Sequence, residues 1–503
     1  MFRRFIFVAA IAIVAWYAPS SHALPRENDH TVEAAADLLS QAMRMHRDNR
    51  QRDLIAALRR MRDPKMKPIL IELAQAKHPH LQIQGLLGLA QIHPQREMDL
   101  VRIAGLDEAG VRVHCLSAAM DADLLPVHQM EELMAAPGTD VSTKLVLATQ
   151  LVGLGQFQDG QLLDDARKSA IIGRRAIAGL LMMQLGQPDG LQPLIELNQS
   201  DAREKELVQR TLLRKAFAGG FDQAGPWAMT IVNESDSERN THALALMTAL
   251  RLGTPGGPSA FLKQYAAAQD LAQRLRLGLV ALQALPWTPD RVFEPLLADD
   301  NELLQKMGVA GRAVTRKSAI PDAMLELARG QYKFTNQWLL GYARQHASPT
   351  DRREILRHAI FEAKIPPSDN LQVRLELTKS ATAMLANEDS DFAVEILKPV
   401  IADRETGATF KQVLLLGLNL SHGQSLGRVI APTVTFTDHA TQGLALVLRA
   451  RHQSTLTDTQ LDELSLLVRG GGAYPRPLRM QAAWLYLAHT GQIDVAITRA
   501  IQE

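Results

Sequence analysis

The sequence predicts an all-α protein, a right-handed α-solenoid superhelix of about 13 to 14 helical hairpins, the number obtained when the chain length is divided by the repeat step. Three observations lead there. A short motif returns every 30 to 35 residues, and each copy reads as helix, turn, helix. The composition is rich in Leu, Ala, Gln and Arg with only 5% aromatics, which suits helices better than sheet.

The chain opens with MFRRFIFVAAIAIVAWYAPSSHA, in which Arg3 and Arg4 precede an apolar run from Phe5 to Ala18. A basic start, a short apolar run and small residues at Ser21 and Ala23 make residues 1–23 a signal peptide with cleavage expected after Ala23. The run is shorter than the roughly 20 residues a spanning helix needs, so the expected product is periplasmic or secreted, with no stable membrane insertion after signal removal. An uncleaved anchor is the alternative, although Pro19 and the polar residues after it break the run early. Without Arg3 and Arg4, 53 basic residues stand against 54 acidic ones, a net charge of −1. Nothing in that balance favours a nucleic acid partner. The single cysteine, Cys115, cannot form an internal disulfide, so stability has to come from packing.

Residues 24–63 are expected to be N-terminal capping helices, and a regular array follows over 64–290. Its copies are clearest in HLQIQGLLGLAQI (80–92), GVRVHCLSAAMDA (110–122) and DVSTKLVLATQLV (140–152). Aligned, they stack Gly88 with Ala118 and Ala148, and Leu81 with Val111 and Val141; Gly179 continues the small-residue row one position late. Small residues recur where helices approach closely. A second amphipathic stretch precedes each copy (PILIELAQA, EMDLVRIAGL, VHQMEELMAA), joined to it by the polar turns KHPH, DEAG and PGTD. Leu185, Phe217, Leu252 and Leu285 mark later repeat ends, where Gly and Pro stop the helices. The rhythm blurs after about residue 290, leaving divergent helical repeats over 291–468 and one or more closing hairpins over 469–503. One hairpin cannot bury its own apolar faces, whereas stacked hairpins bury them in one layer.

The stretch DEAGVRVHCLSAA, with Asp107, Val111, Arg112 and Cys115, resembles the HEAT repeat. LQVRLELTKSA (Val373, Arg374) and PLRMQAAWL (Leu478, Arg479, Ala482) repeat parts of it, while Gln82 and Ser142 stand where the arginine would be. The closing AAWLYLAHTGQIDVAITRAI is more similar to a tetratricopeptide repeat, through Tyr486, Gly491 and Ala496. The resemblance implies an armadillo-like helical scaffold whose relatives chiefly bind other macromolecules. It also implies that Arg112 pairs with an aspartate of the neighbouring repeat.

Several residues are candidates for binding. Phe334, Trp338 and Tyr342 recur every four residues in GQYKFTNQWLLGYARQH and share a helix face, which can grip a peptide or sugar or can simply be core. Lys144 and Arg175 occupy corresponding places to Arg112 on second helices and are the charged candidates. Seven arginines between Arg44 and Arg62 against only Asp48 and Asp53 suit either acidic lipid or a solvated cap. His78, His80, His93 and His114 lack the companions of a known metal spacing, so no metal or cofactor is expected. Asp164 with Asp165, and Asp299 with Asp300, are acidic pairs placed between helices, where acids cap. Asn198, Asn233 and Asn419 head N-x-S sequences, and RGGGAYPRP (469–477) reads as a flexible joint rather than a phosphate loop.

H-E-x-x-H, G-x-S-x-G and G-x-x-x-x-G-K-[ST] are all missing. The expected function is therefore an exported non-catalytic scaffold or adaptor that binds a protein or peptide along its concave face. The alternatives are a carbohydrate-active enzyme of the α/α-toroid type, or a peripheral membrane protein docked through the Arg-rich segment.

Overall fold

The computed structural model describes residues 28–44, 55–59, 61–201, 204–234, 238–330, 332–362, 371–421, 429–430, 436, 438–471 and 474–494. The signal segment, Ala496 and most of the arginines between Arg44 and Arg62 lie outside them. The described residues are helical throughout, with no strand, and consecutive helices pack as neighbours in a stack of hairpins. None of these helices is long and apolar enough to cross a membrane. The chain forms two compact units, one of residues 103–364 and one that joins residues 1–102 to residues 365–503.

In the unit of residues 103–364 the second helices of the hairpins begin at 109, 141, 172, 205, 239, 271, 302 and 333, advancing by 31 to 34 residues. The period therefore runs past residue 290, where the residue pattern had faded: Glu302–Arg316 and Lys333–Gln345 keep the spacing with different surface residues. Each second helix from Ala109–Asp121 to Glu302–Arg316 packs on the next, and shorter first helices pack beside them. Several first helices carry Pro in the opening turn, as with Pro226, Pro258, Pro295, Pro321 and Pro349. Proline is pre-shaped for that position and its missing N–H costs nothing there.

Close approach between a second helix and the turn that leads into the next hairpin depends on missing side chains. A Cβ on Gly179 would lie 2.5 Å from the carbonyl oxygen of Gly190. The helix Ile172–Gln184 thus meets the turn Pro188–Gly190 backbone to backbone. Val111 is buried as the third residue of its helix, but Val141 is 38% exposed. Asp140 caps the helix Val141–Gly153, which makes Val141 its first residue, and Thr143 takes the buried third place instead. Cys115 is fully buried, and burial pushes its thiol up to about 12. Deeper along the stack, Asn198 accepts from Trp227 Nε1 at 3.1 Å and Gln209 Nε2 at 2.9 Å and donates to Thr230 Oγ1 at 3.0 Å. That network joins three helices and occupies an asparagine that heads one of the N-x-S sequences.

The other unit ties the two ends of the chain together. Leu371–Glu388, Ala408–Leu420, His439–His452 and Arg476–Thr490 stack in turn, and Asn28–Arg44 packs against Asp458–Arg469 and Arg476–Thr490. Thr31 Oγ1 meets Ser465 Oγ at 2.7 Å. Trp484 is completely buried and donates Nε1–H to Asp63 Oδ2 at 2.8 Å, while Gln481 Nε2 donates to the carbonyl of Ala57 at 3.0 Å. The helix Asn28–Arg44 therefore packs on the C-terminal helices Asp458–Arg469 and Arg476–Thr490. Arg374, one of the residues that carry the HEAT resemblance, is buried, donates to Thr378 Oγ1 at 2.7 Å and is pushed down by burial to about 10. Residues 476–477 of the RGGGAYPRP stretch already belong to the helix Arg476–Thr490.

Candidate functional site

Two sets of side chains stand out in the unit of residues 103–364, and they do different work. The first is a ladder of polar pairs at the N-terminal ends of second helices. Arg112 donates Nη2–H to Asp140 Oδ2 at 3.1 Å, and Asp140 in turn accepts from Thr143 Oγ1 at 2.6 Å. Arg174 reaches Ser142 Oγ at 3.0 Å, Arg210 pairs with Glu238, and Arg274 pairs with Asp299 at 3.1 Å and Asp300 at 3.2 Å. Each arginine or its acceptor sits at the start of the next second helix, so the ladder ties hairpin to hairpin. Burial works to raise the Asp140 carboxyl, but hydrogen bonds from Thr143 and Arg112 outweigh it and hold the group below the usual carboxylate range. Burial likewise works to raise Asp299, and is outweighed by hydrogen bonds from Tyr265 and the Asn301 amide and by the charge of Arg274.

The charged candidates divide accordingly. Arg112 makes the pairing the HEAT resemblance implies. Arg112 and Arg175 also bind their own turns in the same way, Arg112 donating to the carbonyls of Leu106 and Asp107 and Arg175 to those of Ser169 at 2.9 Å and Ala170 at 3.1 Å, with Glu196 3.7 Å from Arg175. Lys144 is half-buried and has no side-chain partner among the described residues. Asp164 and Asp165 do not lie between helices. They belong to the helix Gly160–Arg167 because Asp159 takes the cap, and they pair within the helix, with Arg167 at 3.9 Å and Gln161 at 2.9 Å. His78 and His80 rings sit 5.9 Å apart, and no group of three His, Cys, Asp or Glu that could hold a metal ion occurs among the described residues.

The second set is an aromatic strip assembled near the C-terminal ends of several second helices, with Glu302–Arg316 taking no part in it. The helix Lys333–Gln345 carries Trp338 stacked on Tyr342 at 5.6 Å between ring centres, and Tyr342 lies 6.0 Å from His346, the residue that caps this helix. His346 meets Trp287 edge to face at 5.0 Å. Trp287 follows the helix Leu271–Gln283 and is 39% exposed, and the guanidinium of Arg251, last residue of Arg239–Arg251, lies over its ring. Beyond Arg251 comes Phe217, 5.9 Å from the guanidinium carbon. Two of the three predicted aromatics thus stay together, with Tyr342 buried as the anchor of the strip and Trp338 half-buried at its end, while Phe334 turns back to Tyr332 at 5.6 Å.

Arg251, Trp287 and His346 were not among the residues singled out from the sequence. The signal for Arg251 and Trp287 was there in the repeat-end segments ALRLGTPGG and ALQALPWTP, since a helix stopped by Gly or Pro leaves its last large side chains on the edge of the stack, and His346 closes the aromatic stretch GQYKFTNQWLLGYARQH. Burial lowers Arg251 to about 10, partly offset by Asp222. Burial and then the Arg251 charge lower His346, so its ring is neutral at pH 7. Burial and then Asp351 raise Tyr342. The strip therefore offers one cation, a neutral imidazole and exposed indole surface, a mixture that suits recognition of a mixed polar and apolar surface.

No family model, curated protein or solved structure matches this chain.

Proposed function

We propose that this chain is an exported, non-catalytic helical-repeat scaffold or adaptor of the HEAT-like kind, which recognises a protein or peptide partner. The observation that carries the reading is the strip from Trp338 through Tyr342, His346 and Trp287 to Arg251, contributed by three separate hairpins. Trp, Tyr and Arg are the residues that dominate binding energy at protein interfaces, because large rigid side chains gain contact area at little entropic cost. Stacked hairpins supply the rigid support such a surface needs. The recognition surface in this reading is an edge of the stack, at the C-terminal ends of second helices.

The test is affinity capture from the host's envelope fraction with the protein and with a Trp287→Ala, Trp338→Ala double variant checked for retained helicity by circular dichroism. The reading expects a specific protein held by the native chain and lost by the folded variant. Recovery of the same proteins by both chains, or of none by either, contradicts it.

A further inference from the structure

We infer that Arg251 and Trp287 form a carboxylate-recognition site whose ligand is an acidic peptide segment, one in which an Asp or Glu lies close to an apolar or aromatic residue. The inference deepens the proposed function and rests on it. Its starting point is that Arg251 makes no hydrogen bond and no ion pair with any described residue, although its guanidinium is packed against Trp287 and Phe217. A ring face carries no oxygen lone pair, so the packing that fixes the guanidinium leaves its N–H donors without a hydrogen-bond acceptor.

Other arginines of this unit show what the chain does when an arginine is structural. Arg112, Arg210 and Arg274 each face a carboxylate, and Arg175 faces two carbonyls and Glu196. Arg251 instead has aromatic support and no acceptor within hydrogen-bond reach among the described residues, only the more distant charge of Asp222 acting on it. Removing a charged donor from water without an acceptor is costly, and a carboxylate laid along the guanidinium edge repays that cost with a two-point, charge-assisted pair. The exposed face of Trp287 then lies beside the bound carboxylate, where an apolar side chain of the same segment can pack. His346, neutral because burial and Arg251 disfavour its charge, completes the edge without repelling an anion. The remaining rings, at steps of 5.0 to 6.0 Å, extend the surface over several residues of an extended chain, which rises about 3.3 Å per residue.

The experiment pans a phage-displayed random 12-residue peptide library against the whole protein, then measures selected synthetic peptides by fluorescence anisotropy on the native chain, Arg251→Gln, Arg251→Lys and Trp287→Ala. The expected peptides carry Asp or Glu within a few residues of a large apolar residue. Arg251→Gln weakens them about tenfold or more, the usual scale for a lost charge-assisted anchor, and Arg251→Lys weakens them less. Changing the peptide's acid to its amide has the same effect on the native chain and almost none on Arg251→Gln, because both changes remove one contact. Selected peptides without an acid, or an affinity indifferent to Arg251→Gln in a folded variant, overturn the site while leaving peptide recognition standing. If no peptide is enriched, both the site and the proposed function fall. Arg251-dependent binding of an oligogalacturonate, with peptides inactive, overturns the peptide ligand in favour of an acidic sugar.

Discussion

At the scale of single residues, Asp140 carries two jobs, capping the helix Val141–Gly153 and receiving Arg112 from the preceding hairpin. Asp140→Ala removes both and is expected to cost about 1–2 kcal/mol, while Asp140→Asn keeps the cap and costs less. Because the folded carboxyl lies below its ordinary value, the stabilisation from its charge is present above the unfolded value, near 3.9, and is lost as pH falls through the folded one. Urea unfolding at pH 7 and in acid should therefore show the gap between native and Asp140→Asn closing as the solution is acidified. A gap that stays constant means the charge contributes nothing. Cys115 gives a second readout: buried and raised to about 12, it should resist iodoacetamide at pH 8 until the unit opens, and rapid labelling of the native protein would show the packing around it to be looser than described.

Among elements, the contrast between glycines separates those that allow close packing from those that merely weaken a helix. Gly179→Ala forces a methyl against the Gly190 carbonyl and Pro193, so a loss of about 2–4 kcal/mol is expected. Gly341, inside Lys333–Gln345, has open space around a added Cβ, and Gly341→Ala should stabilise by about 0.5–1 kcal/mol. Thermal melts of the two variants should move in opposite directions; movement in the same direction would break the argument. The hairpin period, the turns and the small-residue row were legible because each reflects local chemistry, namely helix-stopping Gly and Pro and a face that must be apolar. The site was legible only in part. Trp338 and Tyr342 are visible as a four-residue repeat on one helix, whereas Arg251, Trp287 and His346 come from three hairpins, and no spacing along the chain predicts which turn residues will stack. Arg175 and Arg112 look alike in sequence and both donate to the carbonyls five and six residues back; they differ in the carboxylate each reaches in the next hairpin, Asp140 at 3.1 Å for Arg112 and Glu196 at 3.7 Å for Arg175, which is set by where the nearest acid falls.

At the largest scale, the unit that joins residues 1–102 to residues 365–503 meets a problem every repeat array has, which is how to cover an apolar end face. Asn28–Arg44 lies on Asp458–Arg469 and Arg476–Thr490, so deleting residues 28–44 exposes apolar surface in the unit that holds both ends. That deletion should produce self-association in sedimentation velocity, and a monomer of unchanged stability would show the contact to be dispensable. Trp484→Phe is the milder probe. It removes the hydrogen bond to Asp63 and part of a fully buried indole, at an expected cost of about 2–3 kcal/mol.

The most direct measurement of the central claim, that the edge bearing Trp287 is where a partner binds, is photo-crosslinking in the host with a benzophenone amino acid placed at the exposed Gln283 or Gln345 beside the strip, and at the exposed Ile171 at the opposite end of a second helix. The account predicts a light-dependent adduct with one protein from positions 283 and 345, lost when Trp287→Ala is added, and none from 171. Adducts from 171 alone, or adducts at all three positions that ignore Trp287→Ala, would contradict it.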